Sequence, residues 1–516
     1  MAVDFDIGIV GSGFGGSLMA LIATRLDKKV LLIEKGKHPR FAIGESSTPI
    51  ANLVLEDLIR RWDLPRLRAL TKWGSWQREH PQLPCGLKRG FSFFHHHPGE
   101  AWQEQRRHTN ELLVAASPRN EIADTHWYRP SFDEFLVNEA IREGVEYLDQ
   151  TQLEPPAFSG DTVALSGVRE GKPIRLKVRY LIDASGPGGF LQSTLKIPAG
   201  TFPTLPPTQG LYNHFEGVRP FEEIQPPKDG APYPVDDAAV HHVFPGGWIW
   251  VLRFNNGITS AGVAATTEIA DRFDFARGEK AWEQLLSSLP SVREQFASAK
   301  AVQRFVHAPK LSWRTSRVSV GPWVMLPHTA GFVDPLLSTG IALNLLGIER
   351  LAETVGLNNR SRAEARIAEY SRETLEELDL TALIVSALYA HMGDFEVFSA
   401  IGLLYFAAAV YSETLRRLGR PSRGFLLHRD KDFGGRARKA LTFALNVPLP
   451  PLQREQLLEE LREVIEPIDL GGFTDAARQN WFPVRADDLL SNARKIDASE
   501  AELQELLRRT GFVEQK

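Results

Sequence analysis

Cysteine is almost missing from this 516-residue chain. Cys85 stands alone, which excludes an intramolecular disulfide and a cysteine-cluster metal site and fits a reducing compartment. Excess charge is lacking as well. The formal net charge is −4, too small to draw nucleic acid or an anionic membrane surface. No run is apolar for long: the most hydrophobic, Val397 to Tyr411, falls short of the roughly 20 residues that span a bilayer. It reads as a core helix, and membrane contact is not expected. The opening residues Met1-Ala2-Val3-Asp4 carry no basic segment, so no signal peptide is predicted and a cytoplasmic location is expected. Neither an internal repeat nor a low-complexity tract is found. The length does allow two or three subdomains around a substantial core.

The chain is organised from its beginning. Asp6-Ile7-Gly8-Ile9-Val10 reads as a strand, Gly11-Ser12-Gly13-Phe14-Gly15-Gly16 as a turn, and Leu18 to Ala23 as a helix. Gly11, Gly13 and Gly16 fit G-x-G-x-x-G, which combines a tight turn, close backbone approach to a pyrophosphate and close helix–strand packing. The helix N-terminus adds unpaired N–H groups and partial positive charge. A second strand, Val30 to Ile33, ends at Glu34, about 20 residues past the glycines, where an acid can hold a ribose hydroxyl. A bound dinucleotide is predicted.

Further segments suit such a ligand. Gly44-Glu45-Ser46-Ser47-Thr48-Pro49 is a turn rich in hydroxyls and amides ahead of a helix over Ile50–Trp62. Residues 64–84 read as irregular, and Gly86–Phe94 as one strand. The triplet His95-His96-His97 follows, but alternation along a strand parts neighbouring side chains, so no metal site is predicted. Ser131 and Glu134 read as a capping box for a helix reaching Arg142. Tyr180 to Asp183 is a strand that ends in the small-residue turn Ala184-Ser185-Gly186. Residues 201–303 are aromatic-rich, and alternation places Trp248, Trp250 and Leu252 on one face of an antiparallel sheet that could roof a flat ligand. Trp323 to Asn344 reads as strand, loop and helix, with Ser338, Thr339 and Gly340 at a second set of free amides. Beyond Glu364 the periodicity is helical.

Together these segments resemble the flavin-dependent halogenases, relatives of the FAD monooxygenases and geranylgeranyl-reductase-like flavoproteins. The matching pieces are the glycine turn, Glu34, Gly44-Glu45-Ser46, Arg129 with Phe132-Asp133, Asp183-Ala184-Ser185-Gly186, and Gly331 through Ile341. The resemblance implies an α/β fold: a Rossmann-like FAD-binding domain over 1–365, with substrate-region insertions at about 64–125 and 201–303 that include the antiparallel sheet, and a helical C-terminal region over 366–516. It implies FAD as cofactor, bound by Gly11, Ser12, Gly13, Phe14, Gly15, Gly16, Glu34, Lys35, Gly44, Glu45, Ser46, Ser47, Arg129, Asp183, Ser185, Gly186, His328, Asp334 and Ile341. Thr339 and Gly340 match the halide-contacting pair, and Trp248, Trp250 and Leu337 fall in the substrate region. In this family reduced FAD, O₂ and halide yield hypohalous acid, which a lysine relays to an electron-rich aromatic substrate, free or carrier-bound. A separate flavin reductase is then the expected source of FADH₂.

The sequence also departs from the pattern. Leu252 and Arg253 replace Ile and Pro of the W-x-W-x-I-P signature, and Leu337 stands in the place of a glutamate. Ser92 aligns with the relay lysine, leaving Lys88, expected on the same strand face, as the catalytic candidate. Hydroxylation by a halide-free FAD monooxygenase and isoprenoid reduction remain open as alternatives.

Overall fold

The computed structural model describes residues 3–226, 230–357 and 359–512. β1 (Phe5–Val10) leads into α1 (Phe14–Arg25) and β2 (Val30–Ile33). The turn is followed by α2 (Pro49–Arg61), α3 (Trp73–Glu79), β3 (Cys85–Lys88), β4 (Gly90–His95), β5 (Glu111–Ala115), β6 (Asp124–Trp127) and α4 (Arg129–Arg142). β1 lies parallel between β2 and the strand Lys172–Asp183, which in turn runs parallel to Trp323–Met325. Strands covered on both faces must be apolar throughout, and Val30-Leu31-Leu32-Ile33 is wholly buried. The carboxyl ends of β1, β2 and Lys172–Asp183 therefore open on one edge of the sheet, where ligands sit in such folds.

A second large sheet faces this unit. Thr208–Glu216, Ile258–Thr266, Gly247–Arg253 and Ala239–Phe244 pair antiparallel in that order. Ala239–Phe244 then runs parallel to β4, β4 pairs with β5, and β5 takes Trp481–Phe482 as a parallel neighbour. The sheet is thus mixed, and it gathers strands from three remote parts of the chain.

Local differences from the sequence-based expectations have physical reasons. The stretch 64–84 is ordered, with a 3₁₀ helix over Pro65–Thr71 and then α3. Trp76, fully buried, anchors it by donating its indole N–H to the Leu83 carbonyl at 2.9 Å. α4 begins at Arg129 and not after Ser131, because Pro130 suits the first helical turn; Ser131 and Glu134 lie inside the helix and form no capping box. The expected strand Gly86–Phe94 is two strands, broken at Arg89. The C-terminal part is helical, with Arg360–Ala390, Phe395–Arg417 and Pro451–Ile465 as its longest members. The apolar run of Val397–Tyr411 sits inside a 23-residue helix of mean hydropathy 1.6, long enough to cross a bilayer by length and composition alone. Of its most apolar 18 residues 67% are buried within the protein, so it serves as core.

Candidate active site

The turn between β1 and α1 has room for backbone and little else. Gly11 has φ +101°, and a Cβ there would come within 2.4 Å of the Ala184 carbonyl oxygen. At Gly16 a Cβ would lie 1.9 Å from the Gly11 carbonyl oxygen. α1 starts from Gly13 without a side-chain cap, so the amides of its first turn are available to an anion. Glu34 accepts from the Ser12 amide and hydroxyl at 3.0 Å each, and from the Gly36 amide at 2.9 Å. Burial alone would raise its carboxyl, but the Gly36 amide, Arg40 and Ser12 prevail and hold it below the ordinary value. It is an ionised acceptor beside the turn at neutral pH. Lys35 is exposed to solvent.

Past this turn opens a cavity of about 500 Å³. Gly13 to Gly15, Arg40 to Ser46, Ala184 to Pro187, and Pro335, Ser338, Gly340 and Ile341 line it, with Trp248, Trp250 and Leu252 from the second sheet opposite. Each lining loop is pinned. Arg129 makes a bidentate ion pair with Asp133 at 2.7 and 2.8 Å and donates to the carbonyls of Ile43 and Gly44 at 2.9 and 3.0 Å. Glu45 meets the His214 ring at 2.8 Å, both buried. Asp183 accepts from the Ser185 and Leu191 amides, closing the turn that ends in Gly186. Asp334 accepts from the Leu336 amide at 3.0 Å and the Tyr389 hydroxyl at 2.9 Å. Burial pushes its carboxyl up to about 7.

His328, on the cavity wall, is held neutral by burial. Its Nε2 donates to the Ala184 carbonyl at 3.0 Å, so Nδ1 accepts, 2.7 Å from the Asn344 amide group. That assigns the NH₂ of Asn344 to the histidine side. Thr339 and Gly340 open the helix Thr339–Val355 from Ser338, whose φ is +53°, again without a side-chain cap. Thr339 is buried and Gly340 faces the cavity.

A second cavity, of about 200 Å³, lies between α2, β5, β6 and the C-terminal helices. Its wall is mostly apolar, with Ile50, Phe91, Val114, Tyr405, Phe406 and Val410, and it carries the ion pairs Glu413–Arg417 and Glu56–Lys72. Lys88 sits between the two spaces and is fully buried. Its ammonium donates to the Ser46 hydroxyl at 2.8 Å and the Ser47 carbonyl at 2.6 Å, and stands 3.5 Å from the Ser338 hydroxyl. It also lies 3.9 Å above the Phe91 ring. Opposite it in the β3–β6 ladder is Asp124. Burial drives the lysine down and the aspartate up, and each partly counters the other.

These features meet the needs of a flavin dinucleotide: uncapped amides for the pyrophosphate, an ionised acid for the ribose, and a slot with an aromatic wall for the ring. The sequence profile of the tryptophan halogenase family matches residues 124–393. The chain belongs to that family. Monodechloroaminopyrrolnitrin halogenase PrnC of Pseudomonas fluorescens is 28% identical over 417 residues, covering 79% of this chain and 72% of that one. Tetracycline 7-halogenase of Kitasatospora aureofaciens is 26% identical over 347 residues, covering 66% of this chain and 61% of that one. The crystal structure of halogenase PltM in complex with phloroglucinol and FAD shares the fold, with TM-score 0.81 over 92% of this chain and 99% of that chain at 22% identity. This halogenase-family member is an FAD-dependent oxidoreductase.

The family lysine was expected on a shared strand face with Ser92, and that expectation fails. At Arg89 the chain turns away, its amide donating to the Asp237 carbonyl at 2.6 Å. Lys88 therefore belongs to β3, while Ser92 belongs to β4 and donates to the Val235 carbonyl at 3.0 Å. Trp248 and Trp250 line the larger, flavin-side cavity. Leu337 is buried, and its carbonyl accepts from the Tyr405 hydroxyl at 2.9 Å. His95 meets the Met392 carbonyl at 3.0 Å and His96 meets His242 at 2.9 Å, while His97 is exposed. Asp124, Asn52, Phe91, Tyr405 and Arg417 were missed by sequence reasoning. The only local hint was an ionisable residue in the buried strand Asp124-Thr125-His126-Trp127.

Proposed function

We propose that this enzyme halogenates an electron-rich aromatic ring seated in the second cavity, as a small molecule or on a carrier. The observation that carries the reading is the place of Lys88. Its ammonium touches hydroxyls at the flavin-side cavity and lies over a ring, Phe91, that lines the other. When bound and reduced, FAD supplies hypohalous acid from O₂ and halide.

The residues of this chain do the rest. Glu34 anchors the ribose, and the uncapped amides at Gly13 to Gly15 hold the pyrophosphate. The first-turn amides at Thr339 and Gly340 hold halide. Trp248 and Trp250 shut water out of the ring slot. Lys88, freed of solvent, hydrogen-bonds hypohalous oxygen and gives it a proton as the halogen leaves. Burial lowers its proton affinity, which makes the ammonium a better proton donor. A separate flavin reductase delivers the reduced cofactor, as the family resemblance implies.

The test supplies FAD-loaded enzyme with a flavin reductase, NADH, O₂ and bromide, and a panel of phenols, pyrroles and indoles. Brominated product by mass spectrometry, dependent on bromide, is expected. Product carrying oxygen from ¹⁸O₂ and no halogen would replace the reading with hydroxylation. Anaerobic reduction of a polyprenyl substrate would replace it with a reductase.

A further inference from the structure

Lys88 and Asp124 stand opposite each other in the β3–β6 ladder, and both are buried. Directly opposed residues of an antiparallel pair hold their Cβ atoms about 5 Å apart. The polar contacts of the Lys88 ammonium are all neutral: the Ser46 hydroxyl, the Ser47 carbonyl and, more distantly, the Ser338 hydroxyl. Asp124 accepts the Asn52 amide on Oδ1 at 2.6 Å, and its Oδ2 is closed off without a donor. The Asn52 amide also reaches the Ser47 hydroxyl at 3.1 Å, so one side chain ties the carboxylate to the turn that holds the lysine.

The other ionisable groups in the neighbourhood are engaged or uncharged. Glu45 is bonded to His214, Glu56 pairs with Lys72, and Glu413 pairs with Arg417. Arg89, next in sequence, is held by Ser117, Pro118 and Asn120. Burial first, and then the charge of Lys88, keep His126 and His241 neutral. A lone ammonium or a lone carboxylate at this depth would give up its charge. Burial does lower the proton affinity of Lys88, and Asp124 opposes that fall.

We infer that Asp124 is the counter-ion that keeps Lys88 protonated, and that Asn52 fixes it in place. This is a positioning role, in which Asp124 acts on the reaction only through the lysine. The inference rests on the halogenation reading and adds the source of the lysine's charge. The carboxylate's field crosses the ladder without a direct ion pair, because screening is weak in the interior. Without that field the lysine would stand as a neutral amine and have no proton to give to hypohalous oxygen.

NMR of the full-length FAD-loaded enzyme, labelled with ¹⁵N-lysine, tests this, with the Lys88 signal identified by its loss in Lys88→Met. In the wild type Lys88 should be an ammonium at neutral pH; a neutral amine there would overturn the inference, and this measurement needs no variant. In Asp124→Asn, with flavin content reporting on the fold, the Lys88 titration midpoint should fall by at least about one pH unit. A smaller fall would overturn the inference. The alkaline limb of kcat/KM for bromination should move down with it. An Asp124→Asn enzyme slowed equally at every pH, with that limb in place, would mark a purely structural carboxylate and overturn the inference as well. If the wild type brominates nothing, the halogenation reading fails while the lysine titration still judges Asp124.

Discussion

Around the flavin-side cavity, short runs of backbone and small residues beside strand ends, Gly13 to Gly15, Ala184 to Gly186, and Ser338 with Gly340, face large side chains of the second sheet such as Tyr212, Trp248 and Trp250. Around the second cavity the inward-facing groups are large side chains from segments hundreds of residues apart: Phe91, Asp124, Tyr405, Phe482 and Leu506. A phosphate or a flat ring can be gripped by amides whose positions a turn dictates. A particular substrate has to be told from others by shape and by a few placed polar groups, which only side chains supply. On the proposed reading the first space holds the flavin and the second the substrate, with Lys88 between them.

Removing the Lys88 ammonium should break the comparison most sharply. Lys88→Met keeps the volume and should cut halogenation by about 10²–10⁴-fold, the range for a lost proton-transfer group. Bound FAD, read from its absorbance, should stay at wild-type content; a variant with full activity would dissolve the distinction between the spaces. On the backbone-built side, Gly16→Val forces a side chain against the Gly11 carbonyl. It should lower stability by about 3 kcal/mol or more and release flavin, as seen by denaturation and by the flavin-to-protein ratio.

Asp334 sharpens the contrast through pH. Its pKa is raised from 3.8 to about 7, so the native state keeps a proton that the unfolded chain gives up. Stability from this group therefore falls as pH rises from about 4 to about 7 and is flat beyond. Asp334→Asn should gain on the wild type by about 1–2 kcal/mol between pH 5.5 and 7, checked by urea unfolding at each pH. The smallest effect is expected on the side-chain-built side. Ala409→Trp fills part of the second cavity, and should raise KM for an accepted aromatic by about tenfold, worth about 1.4 kcal/mol, with flavin content unchanged.

Much of the flavin side was legible because its signals are local. A strand, G-x-G-x-x-G and an acid after the next strand fall within 34 residues, and the constraint at Gly11 and Gly16 is steric and short-range. Lys88 was singled out by a strand periodicity that the fold does not keep. Alternation along Gly86–Phe94 assumed one strand, and the break at Arg89 depends on a carbonyl at Asp237 that lies far off in sequence. Asp124 was illegible for the same reason. Nothing near it in sequence says that Asn52 will take one carboxylate oxygen and leave the other bare.

By itself the sequence determined where a dinucleotide binds, because turn geometry and helix-end amides are properties of a dozen contiguous residues. Only the tertiary structure decided that Lys88 lies buried beside two cavities, with its ammonium over Phe91 and across the ladder from Asp124. Burial of a charge and the lack of a partner are properties of everything packed around a side chain, and here that surrounding comes from both ends of the chain.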